Sequence, residues 1–173
     1  KSQVVSRLID GLERLEYRGY DSAGVATINN SEIAMVRSTG KLISLKNRLK
    51  QKPINGFVGI GHTRWATHGE PVEINAHPHL TENVAVVHNG IIENFSDLKN
   101  DLLNKGVTFN SQTDTEVIAK LVEEKVSEEN YKPLDAVRLS LEKLRGSFAL
   151  CFIFKGFGNL VVAARRGSPL AIG

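Results

Sequence analysis

Apolar residues recur along this chain at two spacings, and each spacing predicts one kind of secondary structure. Within residues 3–17, Val4, Leu8 and Leu12 stand at intervals of one helical turn, which indicates the buried face of a helix that Ser2 is placed to cap. The same spacing predicts further helices at residues 42–49, from about Asn94, from Thr113–Asp114 and from Pro133. In the last of these, Leu134 is expected to face inward. Short apolar or alternating runs predict strands at residues 24–28, 32–37, 56–64, 84–87, 107–109, 147–154 and 160–164.

The predicted strands fall mostly in pairs, and short polar turns around Asn29–Asn30 and at residues 155–159 join two of those pairs. Short turns connect antiparallel neighbours, whereas parallel strands need a crossover of a dozen or more residues. The pattern therefore favours a layered α/β domain whose sheets are mainly antiparallel. Residues 65–82 form a long polar loop, and a loop of that length is usually functional or disordered. Its tryptophan and histidines argue against disorder.

Composition narrows the class of protein. The chain has 173 residues, of which 41% are hydrophobic and 24% charged, values that are ordinary for one soluble globular domain. The net charge is +3 and the basic residues are scattered, so we do not expect nucleic acid as a partner. No apolar run reaches the roughly 18 residues that span a bilayer, so we expect no membrane association. A single cysteine allows no internal disulfide, which fits a cytoplasmic location.

Three polar clusters lie at the ends of predicted elements, and together they offer groups that recognise an amino acid. Arg64 ends one strand, and a guanidinium can hold a carboxylate through two parallel hydrogen bonds. Asp114, at the start of a helix, can hold an ammonium group. Asn89 and Gly90 follow another strand, and a side-chain NH₂ beside an unhindered backbone N–H can stabilise an oxyanion. These clusters predict an anchor and an oxyanion hole, but no nucleophile.

Each of these residues also has an ordinary structural interpretation. Asn-Gly is a common turn dipeptide, a helix-opening aspartate is commonly a cap, and an arginine after a strand commonly forms a surface salt bridge. The five histidines suggest a metal, but no carboxylate stands at a recognised ligand spacing such as His-Glu-x-x-His. We therefore expect no metal site and no cofactor. Cys151 lies within an apolar strand, where burial as an apolar filler is expected.

Five segments, in order, resemble the glutaminase domain of the glutamine:fructose-6-phosphate aminotransferases, also called glucosamine-6-phosphate synthases. The segments are residues 15–24, 62–69, 75–79, 88–94 and 113–116. The related amidophosphoribosyltransferases carry His-Arg-Gly-Gln-Glu-Ser-Ala-Gly where this chain has residues 17–24, and Arg-Tyr-Ser-Thr where it has residues 64–67. The aminotransferase resemblance covers nearly the whole chain.

This resemblance implies an N-terminal-nucleophile hydrolase fold, in which two antiparallel sheets lie between helix layers in an αββα sandwich. It implies that an N-terminal cysteine thiol attacks the side-chain amide of glutamine, with its own α-amine as base. The catalytic residues carried over are Asn89 and Gly90, which would hold the oxyanion. The carried-over substrate-binding residues are Arg64 for the carboxylate, Asp114 for the ammonium, and Trp65, Thr67 and His77 for the pocket. Arg18 and His68 are carried over as supporting residues.

One departure from the family is decisive for activity. The family begins Cys-Gly-Ile-Val-Gly, and this chain starts after that strand, at Lys1, without a methionine. Cys151 cannot replace the missing thiol because it is internal and has no free α-amine. We expect residues 1–173 to be a glutaminase domain without its nucleophile strand and without the C-terminal sugar-isomerase domains. These residues alone should bind glutamine or glutamate without turnover.

In the complete family member, ammonia would convert fructose 6-phosphate to glucosamine 6-phosphate at the isomerase domains, and those domains would form a homodimer. The fragment itself is then expected to be monomeric. The alternative hypothesis is a nucleophile-free, glutamine-binding regulatory module.

Overall fold

The computed structural model describes residues 3–65 and 69–171. Five α-helices and seven strands lie within these ranges, with single 3₁₀ turns at Glu16–Arg18 and Glu73–Asn75. The helices are α1 Val4–Leu15, α2 Leu42–Gln51, α3 Phe95–Asn104, α4 Asp114–Ser127 and α5 Pro133–Lys143. The strands are β1 Ser22–Asn29, β2 Glu32–Thr39, β3 Val58–Arg64, β4 His79–Leu80, β5 Val84–Ile92, β6 Gly146–Phe154 and β7 Val162–Arg166.

The strands form two antiparallel sheets. The first sheet has the order β2-β1-β3, and the second has the order β4-β5-β6-β7. Every pairing between these named strands is antiparallel, as the short turns predicted. The second sheet is held mainly by the long β5–β6 ladder, which runs from Val84↔Phe154 to Ile92↔Gly146.

Three apolar cores separate four layers. Helices α1 and α2 pack on the outer face of the first sheet through residues such as Leu12, Val25 and Leu45. The two sheets face each other across a smaller core that includes Ile60 and Ile153. Helices α3, α4 and α5 cover the second sheet over the largest core, which contains Phe148, Phe152, Phe154, Ile118 and Val122. The expected αββα layering is therefore confirmed.

Several sequence predictions differ from the structure. Residues 107–109 are not a strand; Val107 and Phe109 instead pack as irregular chain against the largest core. Leu134 was expected to face inward from α5 but is 64% exposed. The 65–82 loop contains β4 and a 3₁₀ turn that no periodicity indicated. The proposed cap Ser2 lies outside the described residues, and Gln3 directly precedes α1.

The turn between β1 and β2 places two non-glycine residues in the left-handed region. Asn30 and Ser31 have φ of +48° and +69°, as the two central positions of a type I′ turn require. An L-residue in this region costs roughly 1–2 kcal/mol, and glycine avoids that cost.

We expect Ser31→Gly to raise the free energy of unfolding by about 0.5–1 kcal/mol, because glycine's extra freedom in the unfolded chain offsets part of the relieved strain. Denaturant unfolding measures the change. The control is Ser6→Gly in the exposed part of α1, where glycine should lower stability instead. A destabilised Ser31→Gly variant would contradict the turn assignment.

No helix in the two described ranges is both long and apolar enough to cross a bilayer.

Candidate functional site

A cavity of about 520 Å³ lies between β3, the last part of β5, the start of α4 and the end of α1. The three polar clusters meet at this cavity, although they are far apart in the chain. One lies at the end of β3, one at the end of β5 and one at the start of α4. Of the predicted site residues, those that line it are Arg18, Arg64, Trp65, His77, Asn89, Gly90 and Asp114. The predicted residues Thr67 and His68 lie outside the described residues.

Asn89 and Gly90 lie within a strand, so the turn interpretation is wrong for this Asn-Gly pair. Strand β5 continues through both residues, which pair with Ala149 and Phe148 of β6. Gly90 has φ +136°, and a Cβ at this position would stand 2.1 Å from the carbonyl oxygen of Ser147. Only glycine fits there. Both residues are exposed and line the cavity, where hydrogen-bond donors are available to a ligand.

Asp114 is the first residue of α4 and is only 5% exposed. Neither Asp114 nor Thr113 caps the helix with its side chain, contrary to the capping interpretation. Instead, Asp114 Oδ2 accepts a hydrogen bond from the Ile92 N–H at 2.9 Å, which ties the helix start to the end of β5. Oδ1 lies 3.8 Å from His88 Nδ1. A carboxylate held this way beside a cavity can receive a ligand cation.

Arg64 is the last residue of β3 and is 4% exposed, so it is not part of a surface salt bridge. Its guanidinium donates to the carbonyl oxygens of Gly69 and Glu70, each at 3.3 Å, and lies 3.8 Å from Asp21 Oδ1. Burial lowers the pKa of Arg64, and the carboxylates of Asp21 and Asp114 partly offset that shift. A guanidinium stays protonated at neutral pH, so the cavity holds a fixed cation near a fixed anion.

Four histidines form a cluster at the cavity wall: His77, His79 and His88 are buried, and His62 is partly buried. The rings of His62 and His77 have centroids 4.4 Å apart, and those of His77 and His79 are 5.1 Å apart. The Thr115 hydroxyl lies 2.9 Å from His77 Nε2 and 3.0 Å from His88 Nδ1. Burial is the main cause that lowers the pKa of His62 to about 4 and of His79 to about 3, and it holds that of His77 well below 6.5. These three imidazoles are therefore neutral at pH 7.

Acid should destabilise the protein through this cluster. The pKa values of His62, His77 and His79 are lower in the folded state than in the unfolded chain, so the unfolded chain takes up protons first and stability falls as pH drops below about 6.5. His62 alone, with its pKa lowered to about 4, accounts for a loss of up to about 3 kcal/mol. We expect the melting temperature to fall steadily from pH 6.5 to pH 5, where most carboxylates stay ionised.

The matched variant for this prediction is His79→Gln, which keeps a polar side chain near Thr113 but does not titrate. It should reduce proton uptake on unfolding at pH 5 by about one proton. An unchanged proton uptake would contradict the assignment of His79 as a buried neutral imidazole.

Trp65 and Arg18 lie at the mouth of the cavity. Trp65 is 58% exposed, and the Tyr20 ring meets it edge-on with centroids 5.3 Å apart. Arg18 ends the 3₁₀ turn after α1 and is exposed. Gly19 lies between them against the β3 end, where a Cβ would stand 2.6 Å from the carbonyl carbon of Arg64. This close approach holds the end of the 3₁₀ turn against the end of β3 at the rim of the cavity.

Sequence reasoning missed several residues that hold the site together. Asn75, Gln112 and Thr115 make hydrogen bonds between segments that are far apart in the chain. Asn75 and Thr115 stood inside segments already singled out, 75–79 and 113–116, whereas nothing local distinguishes Gln112 from other polar loop residues. Within residues 3–65 and 69–171, no group of three or more His, Cys, Asp or Glu side chains is placed to hold a metal ion.

Curated relatives match this chain along its whole length. A protein of Mesorhizobium japonicum is 56% identical over 172 residues, and one of Bradyrhizobium diazoefficiens is 57% identical over 173. Both are named glutamine–fructose-6-phosphate aminotransferase (isomerizing). These matches cover 99% and 100% of this chain but only 28% of each relative. The chain therefore spans less than a third of the length of the curated relatives that it matches.

Solved structures show the same fold. Glutamine phosphoribosylpyrophosphate amidotransferase from B. subtilis superposes with a TM-score of 0.73 at 26% identity, over 85% of this chain and 32% of that one. The allosteric regulatory enzyme of purine biosynthesis gives 0.75 at 26% identity, over 87% and 33%. The N-terminal-nucleophile hydrolase fold implied by the resemblance is thereby confirmed.

A family described as the glutamine amidotransferase domain matches residues 62–170, which include the β3 end, Asn89–Gly90 and the start of α4. That segment is well over half of the chain. The chain belongs to the glutamine amidotransferase domain family.

Proposed function

We propose that this chain is the glutaminase unit of an enzyme that makes glucosamine 6-phosphate from glutamine and fructose 6-phosphate. The observation that carries the proposal is one cavity lined by a buried cation, a buried anion and a pair of hydrogen-bond donors. These are Arg64, Asp114 and the Asn89–Gly90 pair. The names of the Mesorhizobium and Bradyrhizobium relatives supply glutamine and fructose 6-phosphate as substrates, and the family resemblance supplies glucosamine 6-phosphate as the product.

Glutamine fits this cavity in one orientation. Its α-carboxylate would pair with Arg64, since a guanidinium and a carboxylate make two parallel hydrogen bonds. Its α-ammonium would pair with Asp114. The side-chain amide would then reach Asn89 and Gly90, whose donors stabilise the oxyanion of a tetrahedral intermediate, with each donor contributing about 10²–10³ in rate.

The nucleophile has to come from another segment, because no cysteine is among the described residues that line the cavity. Cys151 faces the core between the two sheets, where burial raises the pKa of its thiol. In the described structure, β3 is an edge strand of the first sheet, and Gly61, His62 and Thr63 line the cavity along it. An added strand beside β3 would have its end near Asn89–Gly90. We place there the N-terminal cysteine strand that the family resemblance implies.

The chemistry then follows from these groups. The cysteine thiol attacks the amide carbon and its proton passes to the α-amine, while the oxyanion accepts hydrogen bonds from the Asn89 side chain and the Gly90 N–H. The carbon–nitrogen bond breaks, and ammonia leaves with that proton. Water then hydrolyses the thioester, which releases glutamate and restores the thiol. Ammonia would pass to sugar-isomerase domains that bind fructose 6-phosphate.

The alternative, a nucleophile-free glutamine-binding module, uses the same cavity without turnover. The discriminating experiment expresses the protein from its natural open reading frame, determines its intact mass and N-terminal sequence, and measures glutamate and glucosamine 6-phosphate formation. Turnover of glutamine by a chain that begins with cysteine supports the glutaminase. Glutamine binding without glutamate release supports the module, and no binding of either amino acid contradicts both. The homodimer and the cytoplasmic location stay predictions.

A further inference from the structure

Asn75 and Gln112 form a polar brace between three segments of the chain. Asn75 is fully buried, and its side-chain NH₂ donates to Gln112 Oε1 at 3.0 Å and to the Glu70 carbonyl at 3.0 Å. The Gln112 backbone N–H returns a hydrogen bond to Asn75 Oδ1 at 2.9 Å, and the Glu70 N–H donates to Gln112 Oε1 at 3.1 Å. A buried amide with its hydrogen bonds made holds its neighbours rigidly.

One side of this brace holds Arg64. The Glu70 carbonyl that receives a hydrogen bond from Asn75 also receives one from the Arg64 guanidinium, at 3.3 Å. The neighbouring Gly69 carbonyl receives another from Arg64, also at 3.3 Å. Gly69 packs directly on the brace, since a Cβ there would stand 2.8 Å from Asn75 Nδ2 and 3.0 Å from Gln112 Cβ. The carbonyls that orient Arg64 are therefore fixed by Asn75 and Gln112.

The other side of the brace leads to Asp114. Gln112 stands two positions before Asp114, and Thr113 between them is locked by its hydroxyl, which lies 2.9 Å from His79 Nε2 and 3.0 Å from Ser111 Oγ. Asp114 itself is held by the Ile92 N–H. A displacement of Gln112 would therefore be passed to the carboxylate through a short, tightly held stretch of backbone.

We infer that the Asn75–Gln112 brace sets the separation between Arg64 and Asp114, and that this separation makes the cavity selective for ligands with a carboxylate and an ammonium on one carbon. The inference rests on the proposed function, in which these two side chains hold the ends of an amino acid. Two anchors reinforce each other only when their spacing matches the ligand, because the second contact then forms without further ordering. Asn75 and Gln112 are positioning residues in this scheme.

The test compares three ligands that differ by one charged group: L-glutamate, glutarate without the ammonium, and 4-aminobutyrate without the α-carboxylate. Calorimetry measures their binding to the protein from its natural open reading frame and to its Gln112→Ala variant. We expect the substitution to reduce the preference for L-glutamate over each single-anchor ligand by about tenfold, while the affinities for glutarate and 4-aminobutyrate change by less than about twofold.

Two further variants keep the test decisive. Gln112 is exposed, so alanine there should fold, and Gln112→Glu retains an acceptor for Asn75 and Glu70 and should restore the preference. Gln51→Ala is the matched control, because Gln51 is an exposed glutamine at the end of α2 that is not among the cavity-lining residues. An unchanged preference in Gln112→Ala, or an equal loss for all three ligands, would overturn the inference. Failure of the unsubstituted protein to bind L-glutamate would instead overturn the proposed function.

Discussion

Arg64→Ala is expected to raise the glutamine KM, or the Kd of L-glutamate, by about 10²–10³-fold. The variant removes the group that is proposed to bind the α-carboxylate of the ligand, so that Asp114 is the one proposed anchor that is left for the amino-acid end. Truncation of one member of a buried charge pair typically costs about 2–5 kcal/mol, or about 30- to 5,000-fold, and the expected range lies within those limits. Glutamine titration against glutamate release in the complete protein, with L-glutamate calorimetry as a second readout, measures the effect.

Two comparison variants separate this role from general loss of charge or fold. Arg64→Lys keeps the charge but not the two parallel hydrogen bonds, so its KM should lie between those of Arg64→Ala and the unsubstituted protein. Arg138→Ala removes a largely exposed arginine that pairs with Glu142 on α5 and should leave KM unchanged. An Arg64→Ala variant with normal KM and a normal melting temperature would exclude Arg64 as the carboxylate anchor.

Gly90→Ala is expected to give the largest loss of stability among single substitutions at the site. The new methyl group would meet the Ser147 carbonyl oxygen at 2.1 Å, and φ +136° is strained for any L-residue. We expect a loss of at least about 3 kcal/mol, or a melting temperature lower by roughly 6–12 °C for a domain of this size. Calorimetric melting measures it, and glutamate release should fall as the Gly90 N–H moves.

Gly106→Ala is the matched control because Gly106 also has positive φ, +85°, but an added methyl group there would meet no atom within 4 Å. Its loss should be only about 1 kcal/mol, the cost of backbone strain alone. Equal melting temperatures for the two variants would show that β5 and β6 separate easily at Gly90. The tight pairing that aims the Asn89 and Gly90 donors would then be absent.

These two predictions probe different halves of the proposed site. Arg64 belongs to amino-acid recognition, and Gly90 to the oxyanion donors and to the β5–β6 ladder that positions them. The histidine cluster is a third component: because His62, His77 and His79 stay uncharged near pH 7, they add no charge to the cavity wall that holds Arg64 and Asp114. An amino acid, with one charge of each sign, suits such a cavity.

Local patterns determined much of the scaffold. Four-residue spacing located α1, and Pro133 marked the first position of α5, because these signals depend only on neighbours along the chain. The same local reasoning failed where tertiary contacts decide. The Asn89–Gly90 dipeptide is typical of a turn, yet it lies in β5 and pairs with β6. Leu134 has the helical spacing of an inward-facing residue, yet its side chain is largely exposed.

Residue types and their spacing were enough to predict the layered antiparallel class and to identify the charged and donor residues, since residue type sets which groups can bind a carboxylate or an ammonium. The folded structure was needed to show that Arg64, Asn89 and Asp114 share one cavity. It alone showed that Asn75 and Gln112, 37 positions apart, are joined by hydrogen bonds beside that cavity. Such contacts arise when two sheets and two helix layers pack together, and spacing along one chain does not encode which distant polar groups will meet.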